Sequence, residues 1–188
     1  MSELHPLLTT ERLTLRRFTP ADLDLFARLN ADPEVMLYMG GIKTRAQSEA
    51  VFQARILDYY EANAGMGVWA TIERATGECV GLHLLNNIQG ETHLQVGYQL
   101  FRKHWGTGYA TEMARAVVRY GFTVLGLPRL VGITDQPNVA SQKVLLKAGL
   151  RRNGERAFPH PAYVKSGPLA WFERDAESWR AEFGTTHP

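Results

Sequence analysis

A strand, a glycine-containing turn and a helix follow one another between residues 94 and 113, and this stretch constrains the fold most. Over residues 94–100 every second residue is apolar, which is typical of a strand with two different faces. Over residues 110–121 the apolar spacing changes to that of one helical face. Gly106 and Gly108 lie between the two segments, where the backbone must turn tightly and leave room for a close approach.

This arrangement predicts a phosphate site. The first N–H groups of a helix lack intrahelical partners and lie at the positive end of the helix dipole, so they favour an anion. A mononucleotide-binding loop is excluded because no Lys-Ser or Lys-Thr follows the turn. The dinucleotide fingerprint is excluded because it needs glycine where Thr111 stands and an acidic residue about 20 positions further on.

Composition narrows the class of protein. The 188 residues are 45% hydrophobic and 21% charged, as in soluble globular proteins, and their length predicts one domain. A net charge of +2 does not favour a nucleic-acid partner, and no apolar run approaches the roughly 20 residues of a membrane span. The N-terminus lacks the pattern of a secretory signal, and the single Cys79 suits a reducing compartment, so we expect a cytoplasmic protein.

The remaining chain predicts a mixed order of elements rather than repeated βα units. Short turns between the three central strands imply antiparallel neighbours, whereas the strand after the long helix returns by a crossover and is expected to be parallel. Residues 1–10 show no periodicity and are predicted to be a loose lead-in. The predicted strands lie near residues 13–15, 68–74, 79–85, 94–100, 129–134, 150–158 and 169–172, and the predicted helices near 20–30, 44–62, 108–125, 138–147 and 174–182.

The turn also carries a family signature. Trp105-x-x-Gly108-x-Ala110 resembles the Arg/Gln-x-x-Gly-x-Gly/Ala motif with which the GNAT acetyltransferases bind the pyrophosphate of acetyl-coenzyme A. Trp105 departs from the general motif and resembles the subgroup of ribosomal-protein N-terminal acetyltransferases. The resemblance covers residues from about 10 to 172. It implies a single GNAT domain over residues 1–188, an α/β fold with a mixed, mostly antiparallel sheet of about six to seven strands flanked by helices.

The resemblance implies acetyl-CoA as the cosubstrate, and no residue spacing suggests a metal site. A second block, Asn138 to Leu150, is similar to the family's Asn-x-x-Ser/Ala segment, whose asparagine hydrogen-bonds the pantetheine arm. Asn138 could equally be a helix cap, and the two roles are compatible. The cofactor-binding residues that the resemblance implies are Leu100, Phe101, Arg102, Trp105, Gly106, Thr107, Gly108, Tyr109, Ala110, Thr111, Asn138 and Ser141.

The catalytic residues are less clearly marked. Many GNAT members have a tyrosine acid where Leu145 stands. The ribosomal-protein subgroup is thought to use a serine at the position of Ser141, so the resemblance implies Ser141 as the candidate acid, although it could instead contact pantetheine or be an ordinary helix serine. His83 is the candidate base because its ordinary pKa is suitable, although a single strand histidine is more often structural. Water organised by Gln95 is an alternative. Further titratable groups near these strands are Glu91, His93, Tyr98 and Glu112, and the helix dipole alone accounts for Glu112.

The resulting hypothesis is an N-acetyltransferase in which a primary amine attacks acetyl-CoA directly within a ternary complex. The alternative is a CoA-binding module without turnover, because Gln95 and Leu145 replace two ionisable groups. The acceptor would contact the first two helices and residues 158–163. A peptide N-terminus, a polyamine, an amino acid and an antibiotic amine all remain open, and a homodimer is possible because homodimers are common in the family.

Overall fold

A computed structural model describes residues 7–163 and 167–184. Within them, the strands are β1 (Leu8–Thr9), β2 (Leu13–Arg17), β3 (Gly67–Glu73), β4 (Cys79–Asn87), β5 (Leu94–Leu100), β6 (Arg129–Thr134), β7 (Arg151–Arg156) and β8 (Leu169–Asp175). The helices are α1 (Leu23–Ala31), α2 (Arg45–Phe52), α3 (Asp58–Ala62), α4 (Tyr109–Thr123), α5 (Val139–Lys147) and α6 (Ala176–Phe183). Short 3₁₀ turns cover Pro20–Asp22 and Arg102–His104, and a π-helical turn, Gln53–Leu57, joins α2 to α3.

The described strands form one sheet in the order β1-β2-β3-β4-β5-β6-β8-β7. Every neighbouring pair is antiparallel except β5 and β6, which α4 connects as a crossover. All of β5 is paired with residues 81–87 of β4, but β5 and β6 share only the pair Gln95 and Val131. The two parallel strands therefore diverge beyond that pair, and the sheet has a gap that opens toward Leu100 and Thr134.

Helices cover both faces of the sheet. His83 Nε2 contacts the carbonyl of Ala110, which places α4 on one face, and alternation puts Tyr98 on that same face. Gln99, on the other face, donates to Asn30 of α1 at 3.5 Å. On that other face a second apolar cluster packs on β6 and β8; it consists of Ile88, Val131, Phe158, Leu169 and Trp171.

Across the described residues the sheet has eight strands, so the expectation of six to seven was too low. The additional strand, β1, lies in the segment predicted to be a loose lead-in, and it pairs Leu8 with Leu15 and Thr9 with Thr14. A strand of two residues is too short to show a period of two, so only its partner β2 could be seen in the sequence. Residues 1–6 lie outside the described part of the chain.

Thr44 and Gln47 form a capping box at the start of α2. Thr44 Oγ1 accepts from the N–H of Gln47 at 3.2 Å, and the side chain of Gln47 accepts from the N–H of Thr44 at 2.9 Å. Within residues 7–163 and 167–184, no helix is long and apolar enough to cross a membrane.

Candidate active site

The gap between β5 and β6 exposes backbone groups of β5. The N–H of Phe101 donates to the carbonyl of Val80 in β4 at 3.0 Å. Because alternate residues of an antiparallel strand bond to the same neighbour, the backbone groups of Tyr98 and Leu100 face away from β4, toward the gap. The carbonyl of Leu100 already accepts from Trp105 Nε1 at 2.9 Å. The open edge of β5 can therefore pair with an extended amide-containing chain.

The turn at the open end of the gap has the conformation that its glycines predict. Gly106 and Gly108 have φ of 76° and 84°, in the left-handed region, and Gly108 is the N-cap of α4. A Cβ added at Gly106 would meet nothing within 4 Å, so the space beside this residue is open. The N–H groups that begin α4 have no intrahelical acceptors, and the turn therefore fits a phosphate group.

The cations within the turn are neutralised by neighbouring acids. Arg102 pairs with Glu34, and Lys103 pairs with Glu78. His104 is buried, and its Nε2 lies 3.7 Å from a carboxylate oxygen of Glu78. The basic sequence Arg102-Lys103-His104 therefore contributes less free positive charge to the turn than the sequence alone indicates.

Glu112 connects the first turn of α4 to the segment between β1 and β2. Its Oε1 accepts from Thr10 Oγ1 at 2.6 Å and from the N–H of Arg12 at 2.9 Å, and its Oε2 accepts from Arg12 Nε at 2.6 Å. Partial burial alone would raise the pKa of Glu112, but the hydrogen bonds from Thr10 and Arg12 outweigh it and hold the pKa below its ordinary value. Sequence reasoning missed this contact because its partners are about 100 residues apart.

The structure brings Asn138, Ser141 and Tyr98 together at the gap. Asn138 Oδ1 accepts from the N–H of Ser141 at 3.1 Å, so Asn138 caps α5, and its amide N–H groups have no partner among the described residues. Tyr98 Oη donates to the carbonyl of Ser141 at 2.8 Å and lies 3.0 Å from Ser141 Oγ. These hydrogen bonds join the β5 side of the gap to α5. Burial raises the pKa of Tyr98 despite the contact with Ser141, so the phenol keeps its proton at neutral pH.

His83 lies beneath α4 and is fully buried. Its Nε2 is 3.3 Å from the carbonyl of Ala110, which can only accept, so we assign the ring proton to Nε2. Thr71 Oγ1 then donates to Nδ1 at 2.8 Å. Burial lowers the pKa of His83 to about 4. This geometry leaves neither ring nitrogen free for a substrate and favours a structural role over that of a base.

The residue that replaces the family's tyrosine does not face the gap. Leu145 is buried, and a Cβ added at Gly132 of β6 would lie 2.6 Å from Leu145 Cδ2. The side chain at position 145 therefore packs between α5 and β6. A phenol at this position would need a different packing of that helix against the sheet.

The remaining candidate bases lie near the start of β5. Glu91 Oε2 is 3.2 Å from both His93 Nδ1 and Arg156 Nη2. Gln95 lies next along the strand, and its Nε2 donates to Asn86 Oδ1 at 3.3 Å on the face opposite α4. Glu91 is thus already engaged by two neighbouring side chains, and an amide is not a base.

Residues 158–163 pack beside the face of the sheet that lies opposite α4. Phe158 is buried, with its ring centroid 6.2 Å from that of Trp171, and Tyr163 Oη accepts from the N–H of Gln89 at 3.3 Å. The predicted proximity of this segment to the acceptor side remains a prediction. In the described part of the chain, no group of three or more His, Cys, Asp or Glu side chains could hold a metal ion.

A divided sheet, a glycine turn at the N-terminus of one helix and an asparagine cap on the next define the class of coenzyme A-dependent acyltransferases. Residues 12–151 match the family model described as an acetyltransferase (GNAT) domain, and the chain belongs to that family. The protein is thus an acetyl-CoA-dependent acetyltransferase.

Relatives and solved structures agree with this assignment. The chain is 34% identical over 146 residues to the uncharacterized protein YkkB of Bacillus subtilis, covering 76% of this chain and 84% of YkkB. It is 33% identical over 156 residues to the uncharacterized N-acetyltransferase p20 of Bacillus licheniformis, covering 80% and 88% of the two chains. A crystal structure of an acetyltransferase from Agrobacterium tumefaciens superposes with a TM-score of 0.75 at 27% identity, covering 89% of this chain and 92% of that one.

A more distant structure shows the shared fold alone. The spermidine N-acetyltransferase of Vibrio cholerae, in complex with CoA and spermine, superposes with a TM-score of 0.70 at 15% identity. The superposition covers 90% of this chain and 98% of that one.

Proposed function

We propose that this protein transfers the acetyl group of acetyl-CoA to a primary amine by direct attack within a ternary complex. The observation that carries the proposal is the gap between β5 and β6, which has the glycine turn at its open end and the Ser141–Tyr98 contact at its side. The known binding of CoA by the Vibrio spermidine acetyltransferase, which shares the fold, supports it.

Each part of the cofactor has a complementary surface. The N–H groups from Gly106 to Thr111 would hold the diphosphate. The N–H of Leu100, on the open edge of β5, would donate to a pantetheine carbonyl, and the free amide N–H of Asn138 would donate to the same arm. A backbone N–H at this edge would also stabilise the negative charge that develops on the thioester oxygen.

Ser141 is the group we propose to protonate the departing thiolate, and its hydroxyl would regain a proton from the nitrogen of the tetrahedral intermediate, which must lose one as the amide forms. Its hydroxyl lies at the gap and shares a hydrogen bond with Tyr98 Oη, which fixes its position. Because Tyr98 donates its single proton to the carbonyl of Ser141, the serine hydroxyl is the donor to Tyr98 Oη in the resting site, and it would have to turn toward the thiolate to release its proton.

The amine would approach on the face opposite α4. On that face Gln95 and Asn86 present amide groups, and Gln95 Oε1 has no hydrogen-bond partner among the described residues. We propose that Gln95 accepts a hydrogen bond from the amine and that the amine loses its proton to water before attack. This replaces His83 as our proposed means of deprotonation.

The test is thiol release from acetyl-CoA with a panel of amines that contains peptides with free N-termini, amino acids, polyamines and aminoglycosides. Acetylated product with at least one amine, identified by mass, is expected. Tight CoA binding without product from any amine would instead support the CoA-binding module, which the occupied nitrogens of His83 and the protonated phenol of Tyr98 favour.

A further inference from the structure

The side chain of Arg12 lies across the glycine turn before α4. In sequence, however, Arg12 lies between β1 and β2. Its Nη1 donates to the carbonyl of Thr107 at 3.0 Å, and its Nη2 is 3.4 Å from where a Cβ of Gly108 would lie. Its guanidinium carbon is 4.6 Å from the centroid of the Tyr109 ring. Arg12 thus contacts Thr107 and Tyr109, on either side of the N-cap Gly108 of α4.

The charges around the turn require a further cation. Arg102 and Lys103 are already paired with Glu34 and Glu78, and Glu112 places a carboxylate in the same helical turn. An anion bound at this helix N-terminus would be repelled by that carboxylate unless a cation compensated for it.

Arg12 has one free pair of donors. Its Nε donates to Glu112 and its Nη1 to Thr107, but its Nη2 has no hydrogen-bond partner within residues 7–163 and 167–184. The side chain remains 43% exposed, so a ligand can reach it. A guanidinium held at two of its nitrogens presents the third in a fixed direction, which suits phosphate oxygens.

We propose that Arg12 is a further binding residue for the diphosphate of coenzyme A, held in place by Glu112. The inference rests on the proposed placement of the diphosphate at the glycine turn. The proposal adds a binding residue that lies far in sequence from the Trp105–Ala110 motif. Because Glu112 holds the guanidinium at Nε and leaves Nη2 without a partner among the described residues, Glu112 is the positioning residue of this pair.

The test is calorimetric binding of CoA, dephospho-CoA and pantetheine to the wild type, Arg12→Ala and Arg12→Lys. Both variants should bind CoA and dephospho-CoA about tenfold more weakly or worse, as expected for the loss of a charge-assisted hydrogen bond, and pantetheine as well as the wild type does. Arg12→Lys keeps a cation beside Glu112, so the binding test can be made with this variant if Arg12→Ala does not fold. Unchanged CoA affinity would overturn the proposal, as would an effect that disappears with dephospho-CoA.

A double variant separates a binding residue from a simple counter-ion. If Arg12 only neutralised Glu112, Arg12→Ala combined with Glu112→Gln would regain the wild-type affinity for CoA, and this result would overturn the proposal. We expect the double variant to remain weak. Arg74→Ala is the matched control, because Arg74 donates to the carbonyls of Thr10 and Glu11 and supports the same segment without touching the turn; it should bind CoA normally. If the wild type binds no CoA, the proposed function fails instead.

Discussion

The imidazole of His83 shows what burial does to a single ionisable residue. Its two nitrogens are occupied by Thr71 and the carbonyl of Ala110, and charging the ring would cost both desolvation and the acceptor role of Nδ1. The sequence could identify a histidine on a strand but not the helix that covers it. That helix comes from residues 109–123, so the role of His83 depends on a tertiary contact.

We expect His83 to make the protein less stable in mild acid. In the unfolded chain the ring has a pKa of about 6.5, whereas in the folded state the pKa is lowered to about 4. Between these values the unfolded state binds more protons, so the free energy of unfolding falls as pH decreases from 6.5 toward 4. At pH 4.5 the contribution of His83 to this loss is about 2 kcal/mol.

Urea unfolding at pH 7.5 and 4.5 measures this effect in the wild type and in His83→Gln. Glutamine is neutral and can accept from Thr71 and donate to Ala110, so the variant should lose less stability between the two pH values than the wild type. Equal losses in both proteins would show that His83 does not titrate in this window.

A second single-residue prediction concerns Ser141, whose hydroxyl should affect the rate of turnover. Ser141→Ala should lower kcat by about tenfold, a small effect for an acid because a thiolate leaves without much assistance, and should leave the KM for acetyl-CoA nearly unchanged. Ser178→Ala is a matched control, since Ser178 occupies the equivalent first turn of α6, with the carboxylate of Asp175 as its cap. Steady-state kinetics would contradict the acid role if only the KM rose, as expected for a pantetheine contact.

At the scale of elements, local sequence predicted most of the strands and helices. The period-two pattern found β5 and the glycines found the start of α4, because both signals are contained within a few residues. The π-helical turn Gln53–Leu57 and the two-residue β1 have no such signal. The contact of Arg12 with Glu112 was also missed, since it depends on how β2 and α4 are placed in the sheet.

The turn before α4 gives a prediction at this scale. Gly108→Ala and Gly77→Ala each place a side chain at a left-handed position, with φ of 84° and 73°, and each should cost about 1–2 kcal/mol of stability. Only Gly108→Ala should weaken CoA binding, by about tenfold, because its N–H groups would move relative to the diphosphate. Gly77 lies in the β3–β4 turn and is the matched control. Calorimetry with equal CoA affinity in both variants would contradict the placement of the cofactor.

At the scale of the whole molecule, topology creates the gap. A crossover between parallel strands leaves β5 and β6 joined at Gln95 and Val131 alone, while antiparallel partners hold β5 and β6 firmly on their outer sides. The sequence predicted the crossover but not where pairing stops, because that depends on the twist of the assembled sheet. The single-domain organisation over residues 1–188 and the homodimer stay predictions.

The chemistry of this gap leads to a prediction about pH. His83 has both nitrogens occupied, Tyr98 keeps its proton, and Gln95 is an amide, so we expect the acceptor to deprotonate in solution. The pH dependence of kcat/KM should then follow the amine. It should rise tenfold per pH unit to about pH 8 with a peptide α-amine and continue beyond pH 9 with a lysine side chain, whose ordinary pKa is about 10.4. At pH 7 the α-amine should be favoured by roughly 300-fold, in proportion to its larger neutral fraction.

Two acceptors and one variant make this prediction decisive. The acceptors are a peptide whose only amine is its N-terminus and the same peptide with a blocked N-terminus and one lysine. If kcat/KM levels off at the same pH for both, the protein supplies a base, for which the Glu91 and His93 cluster is then the candidate. Gln95→Glu places a carboxylate on the acceptor face, and it should shift the profile of both acceptors to lower pH because an added base at that position removes the need for prior deprotonation.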